Sequence, residues 1–306
     1  MSDPTVPSPP TGSADADASA ALDEARAEID RIDDAIQDLL VRRSEMVDII
    51  RAAKAGSGGS ILRPGREASV LRRLMQRSRG VFPRPVIVRI WREIFSALVA
   101  LQDRLTLAVW MPERGAGYLE VARNQYGSLT AASVHQTPAQ VVQEIVDDRA
   151  TVGVLPLPQS EADFAWWTNL LSNQADSPRV VARLPFQPGR DDLPEALAVA
   201  KVKPEASDGP DNTLLVLECS ADISRASLMG ALSKADITAV GVMDSRSLDE
   251  DTRLHLIEID GFVDGQDVRL KDLEQGSDGR IAHAVVIGAY AVPLSAADMA
   301  PPAGGR

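Results

Sequence analysis

Cysteine is nearly absent from this 306-residue chain: Cys219 stands alone, which excludes a disulfide framework and a cysteine-based zinc site. Histidine is also scarce, and His135, His255 and His283 have no metal-ligand spacing, so each is expected to be a surface or core residue. No stretch approaches about 18 consecutive apolar residues, so no transmembrane helix is expected. The first twenty residues have neither a basic start nor an apolar run, and so do not read as a signal peptide; a cytoplasmic location is the default expectation. A net charge of −12 argues against a nucleic-acid surface. That charge is uneven, however: residues 21–105 hold sixteen Lys/Arg against twelve Asp/Glu, leaving the rest of the chain strongly acidic. A basic helical module on an acidic protein suits a small anionic ligand better than a polymer. The competing reading is that these arginines simply populate solvated helix faces.

The stretch Ala21 to Lys54 organises the chain. Ile29, Ile32, Ile36, Leu39, Leu40, Val47 and Ile50 recur at helical spacing, and neither Gly nor Pro interrupts them. Arg43 and Lys54 share a face of this helix roughly 16 Å apart, while Arg26 lies about 25 Å from Arg43 on another face. These cations cannot all meet within one copy, but they could meet between two packed copies. Around this helix the expected organisation is a disordered tail (1–20), a three-helix module (21–105), a truncated α/β region (106–202), a linker (203–212), an α+β unit (213–293) and a polar tail (294–306). The second and third helices are expected over Arg66 to Arg79 and Val86 to Leu105. Ile87, Ile90, Trp91, Ile94, Leu98 and Leu101 should face inward on the third. Beyond Leu105, Leu107–Trp110 and Val152–Leu155 read as strands alternating with helices near Gly117–Tyr126 and Pro138–Asp148. Arg179–Leu184 and Ala196–Val202 are further candidate strands. Residues 213 to 289 read as a βαββαβ unit.

The module at 21–105 resembles the all-helical (type II) chorismate mutases, in which two three-helix chains interlock around a long first helix. Arg26 falls at the family's partner-donated arginine and Arg43 at its own-subunit substrate arginine. Lys54 falls at the lysine that contacts the ether oxygen. Arg66-Glu67 matches the pair opening the second helix, and Gln102 the glutamine that shares the ether oxygen. The resemblance implies catalytic roles for Lys54, Gln102 and Glu67, and substrate binding by Arg26, Arg43 and Arg66. It also implies conversion of chorismate to prephenate in a homodimer, with neither metal nor cofactor. The chemistry suits these residue types. Guanidinium forks bind carboxylates bidentately, and a lysine and an amide together can stabilise charge on the breaking ether oxygen of an intramolecular [3,3] rearrangement. Glu67 could hold the substrate hydroxyl, or be protonated and assist the amide. Two departures stand out: Leu98 replaces the family's serine, with Ser96 two residues earlier, and Arg63-Pro64-Gly65 replaces acidic residues before the Arg-Glu pair. The plainer alternative is a helical dimerisation module with surface arginines.

Residues 105–293 resemble the prephenate dehydratase and ACT portions of bifunctional chorismate mutase–prephenate dehydratases. Pro112, Gly115, Gly117 and Tyr118 fall in the family's opening strand and turn, and Gly153 to Pro158 look like its second strand. Pro158-Gln159-Ser160 stands where that family has Glu-Asn-Ser, and the Thr-Arg-Phe triplet is missing. About 100 residues are also too few for two lobes around a cleft. The expectation is therefore a degenerate, regulatory or structural extension, with retained dehydratase activity as one alternative. Another is a non-catalytic regulatory partner of a shikimate-pathway enzyme. Ala226-Ser227-Leu228 and Asp244-Ser245-Arg246-Ser247 partly match the phenylalanine-binding motifs of ACT domains; a role in pairing chains through sheet edges or helices is expected ahead of an aromatic amino-acid effector. Trp166-Trp167 is expected to be core rather than an interface patch.

Overall fold

The computed structural model describes residues 12–54, 61–112, 117–158, 165–172, 174, 176–188 and 192–300. Residues 55–60, Gly115 and the Gln159-Ser160 pair lie outside these residues. The chain divides between Gly59 and Ser60 into two compact units.

The described residues of the first unit form α1 (Gly12–Lys54), which begins before the expected Ala21. The alanine-rich run Ala14–Ala20 explains the extension, because alanine is the best helix former. Forty-three residues make it about 64 Å long. Its apolar stripe is bare: Ile29, Ile36 and Leu39 are 56%, 51% and 64% exposed, and Leu22, Ile32, Ile49 and Ile50 are similarly open. Local ion pairs support it, Arg31 with Glu28 and Arg51 with Asp48. Such pairs contribute only about 0.2–0.5 kcal/mol each, so a helix of this kind draws most of its stability from covering its apolar face.

The second unit starts with α2 (Pro64–Arg77) and α3 (Arg84–Gln102), each with a proline in its first turn, where the missing N–H costs nothing. Nine strands follow among the described residues: β1 (Thr106–Trp110), β2 (Ala131–His135), β3 (Val152–Pro156), β4 (Arg179–Leu184), β5 (Ala196–Ala200), β6 (Asp211–Ser220), β7 (Ala239–Ser247), β8 (Thr252–Asp260) and β9 (Ile281–Ala291). The helices between and after them are α4 (Gly117–Tyr126), α5 (Pro138–Val146), α6 (Arg225–Lys234), α7 (Val268–Gln275) and the short α8 (Ala296–Met299). All nine strands form one mixed sheet in the order β2-β1-β3-β5-β4-β9-β6-β8-β7. Strand β1 is parallel to β2 and β3, while β5 runs antiparallel to both its neighbours. The expected βαββαβ unit is present as β6-α6-β7-β8-α7-β9. Its sheet is not separate from that of the preceding region, because β9 lies parallel to β4 with Gly288 opposite Val180.

The sheet is packed on both faces, which its strand sequences anticipate. In β6, Leu215 and Leu217 pack with Leu228 and Leu232 of α6 and Leu270 and Leu273 of α7. Leu214 and Val216 face the other way, into a core with Trp166, Trp167 and Leu170. The two tryptophans are core, as expected, and form a 3₁₀ turn. Helices α2 and α3 bury Leu71, Met75, Val88 and Phe95 against Phe186, Ala291 and Leu294. The inward face of α3 is therefore only partly the one expected. Leu98 is buried, but Ile90 and Leu101 are 41% and 61% exposed, while Val88, Arg92, Phe95 and Val99 point inward. The helix is apolar on two faces, and the sheet side takes only one.

Residues 203–212, expected to be a linker, are gripped by α2. Arg63 forks onto Glu205 at 2.7 and 3.1 Å. Ser69 Oγ accepts from the Asp208 amide at 2.8 Å. Arg72 donates to Ser207, Pro210 and Val292 at 2.7–2.8 Å. Asp211, within the expected linker, is buried and already part of β6.

Candidate functional site

The residues expected to carry chemistry fall on α1, α2 and α3. On α1, Arg26 is exposed and pairs with Asp23 at 3.2 Å. Arg43 is half-buried, and burial holds its guanidinium below the ordinary arginine range. Lys54 is the final residue of the helix, and its side chain lies outside the described ones.

In the second unit, Arg66 is exposed on the first turn of α2, with its backbone amide donating to Glu205 Oε1 at 3.3 Å. Glu67 is turned inward. Its Oε2 accepts from Arg92 NH1 of α3 at 2.7 Å, with the two side chains 15% and 4% exposed. Desolvation pushes the Glu67 carboxyl above its ordinary value, and the Arg92 charge opposes that rise. Arg92 is itself lowered by burial, against the pull of Glu67. Among the described residues Oε1 of Glu67 takes no hydrogen bond. The Arg92 guanidinium also lies 5.0 Å from the centre of the Phe186 ring. Tyr126 of α4 completes the surroundings: its hydroxyl is buried without a hydrogen-bond partner among the described residues. Burial first, and then the Glu67 charge, push that hydroxyl's ionisation upward. At the end of α3, Gln102 Nε2 donates to the Leu98 carbonyl at 3.0 Å. Ser96 is buried, with its hydroxyl on the Glu93 carbonyl at 3.0 Å.

The structure thus brings Glu67 to Arg92 and leaves the Gln102 amide on its own helix. Sequence reasoning missed Arg92. The signal was its position on the apolar face formed by Val88, Phe95 and Val99, at spacings of four, three and four, where an arginine must have a partner.

The motif expected for an effector is also engaged internally. Asp244 is 2% exposed. It accepts from Trp167 Nε1 and Arg246 Nε, each at 2.9 Å, and from the Ser245 amide at 2.8 Å. Ser245 Oγ in turn meets His255 Nδ1 at 2.7 Å. No group of three or more His, Cys, Asp or Glu side chains among the described residues could hold a metal ion. None of the described helices is long and apolar enough to cross a membrane.

Comparison with known proteins connects this geometry to families. Residues 25–103 match the family model described as Chorismate mutase type II. The bifunctional chorismate mutase/prephenate dehydratase of Aquifex aeolicus is 31% identical over 144 residues, 44% of this chain and 38% of that protein. The chain therefore spans about two fifths of the length of the curated relatives it matches. Among solved structures, the quorum quenching acylase GqqA aligns at a TM-score of 0.45 with 16% identity, over 64% of this chain and 98% of that one. Prephenate dehydratase from Streptococcus mutans aligns at 0.44 with 16% identity, over 62% and 98%. By sequence, residues 25–103 are similar to type II chorismate mutases, and the chain is similar to part of the bifunctional chorismate mutase/prephenate dehydratases.

Proposed function

We propose that the chain is a chorismate mutase that works as a homodimer through α1, with its sheet region serving assembly or regulation. The observation that carries this reading is the bare apolar stripe of α1, inside the segment that matches the family. A second copy laid along that stripe would remove it from water at about 25 cal/mol per Å² of apolar surface. It would also let Arg26 of one copy approach a site holding Arg43 and Lys54 of the other. The second apolar face of α3, with Ile90 and Leu101 exposed, suits the same assembly. In the assembled site Arg26, Arg43 and Arg66 bind the two carboxylates of chorismate. Lys54 and Gln102 donate to the ether oxygen as negative charge develops there, and Gln102 exchanges its bond to Leu98 for the substrate. Glu67 accepts from the substrate hydroxyl through Oε1, the oxygen that Arg92 does not hold. No covalent or proton-transfer step is needed, so the rate comes from holding the reactive conformer and stabilising that charge.

The experiment is loss of chorismate absorbance with the purified chain, beside Lys54→Ala. Turnover in the wild type and its loss in a dimeric K54A chain support the reading. No turnover in the wild type refutes it and favours the non-catalytic alternative. Because the curated relatives are bifunctional, the same preparation should be offered prephenate. Formation of phenylpyruvate would restore the dehydratase reading. We read the βαββαβ unit as an ACT-like domain whose Asp244-Ser245-Arg246 motif is structural, because Trp167 and Arg246 already satisfy Asp244. Phenylalanine is therefore expected to leave turnover unchanged.

A further inference from the structure

We propose that Arg92 is a positioning residue for the Glu67 carboxylate, and that through it the sheet region of the chain fixes one wall of the mutase site. The inference rests on the mutase reading above and adds a role for a residue that no motif assigns. Three observations converge on it. Arg92 commits one oxygen of Glu67 at 2.7 Å and leaves the other unbonded among the described residues, which is how a carboxylate is aimed at a single donor. Arg92 is buried and Glu67 is largely so, at 4% and 15% side-chain exposure, so their attraction is little screened by solvent. The guanidinium is itself seated over the ring of Phe186, between β4 and β5, so its position depends on the sheet and not on the helices alone. Cation–π contact with a desolvated guanidinium is directional as well as attractive.

The ionised form of Glu67 is the one that accepts the substrate hydroxyl. The groups facing it are Arg92 of α3, Tyr126 of α4 and Glu205 of the segment before β6. Only Arg92 favours the carboxylate; burial and Glu205 oppose it. Removing the Arg92 charge therefore raises the pH at which Glu67 becomes competent.

The test is the pH profile of kcat/KM for chorismate in the full chain, comparing wild type, Arg92→Met, Arg92→Lys and Phe186→Leu. Wild-type turnover is read first, since its absence overturns the mutase reading independently of Arg92. Given turnover, R92M should lose about 10²-fold in kcat/KM at neutral pH, the cost of a misplaced site group. Its acid limb should move to higher pH. R92K should restore the limb while recovering the rate only in part, because an ammonium keeps the charge but not the fork. F186L should reduce the rate with a smaller limb shift of the same sign. Should R92M not fold, R92K and F186L carry the same two readouts. A wild-type limb and rate in F186L together with R92M, or with R92K where R92M is insoluble, overturns the proposal.

Discussion

Replacing Gly288 by alanine strikes the strand pairing that joins the two halves of the sheet, β4 beside β9. A Cβ built there lies 2.5 Å from the Val180 backbone nitrogen and 2.6 Å from Val180 Cβ, with the Val180 carbonyl oxygen nearer still. Backbone cannot rotate aside as a side-chain tip can, so β4 and β9 must separate. Overpacking of this kind costs about 1–3 kcal/mol, and here it falls on a junction with one paired position, Val180 opposite Gly288. In a unit of this size each kcal/mol lowers Tm by about 2–4 °C, so a loss of roughly 6–12 °C is expected at the upper end of that range. The second consequence is loss of cooperativity. The β1–β5 half and the β6–β9 half should unfold in two steps when the joint is weakened, seen by calorimetry and by tryptophan fluorescence from the core around Trp167. Gly230→Ala is the control. It lies inside α6 with nothing within 4 Å of its added Cβ, and should stabilise by about 0.5–1 kcal/mol. A G288A chain that melts in one step within about 2 °C of wild type would refute the idea that this contact joins the halves.

The Cys219 thiol is buried and pushed up to about 12, by burial first and then by the Glu218 charge. The thiolate is the reactive form, so the folded chain should resist iodoacetamide at pH 8 and react once unfolded in urea; rapid labelling of folded protein would contradict this. Trp167→Phe leaves Asp244 one donor short in the core, and should cost about 1–3 kcal/mol in denaturant unfolding. An unchanged midpoint would mean that Asp244 does not depend on it. Ile36→Asp places a charge in the bare stripe of α1 and should convert a dimer to a monomer in sedimentation, with mutase activity falling alongside; an intact dimer would exclude this face as the interface.

Much of the fold is legible in the sequence. The apolar runs at Val152–Leu155 and Ala196–Ala200 are buried along their whole length, and strand is the natural reading of such runs between turn residues. Strand β2 was invisible for the opposite reason: Ala131-Ala132-Ser133 is small, polar and exposed, and pairs only as an edge. The union of the two half-sheets was not legible either. Nothing in Val180 or Gly288 alone announces that they will lie side by side, since residues more than a hundred positions apart leave no periodic trace. The composition of 203–212 suggests a linker, but β6 already begins at Asp211, and composition does not reveal that Arg63, Ser69 and Arg72 would hold the segment down. For the site, polar residues matched to a family motif were easy to list. Arg92 was hidden because its meaning depends on two partners, Glu67 and Phe186, that lie far from it in sequence.

The last strand of the nine in chain order, β9, lies between β4 and β6 near the middle of the sheet. A polypeptide emerging from the ribosome must therefore wait for β9 before either half can be closed. Until Ile281–Ala291 arrives, β4 and β6 both present raw edges, and β6 is a ten-residue strand rich in leucine and valine. Such edges are templates for pairing with foreign chains. A stop codon before residue 281 should thus yield insoluble material, not a slightly shorter working protein.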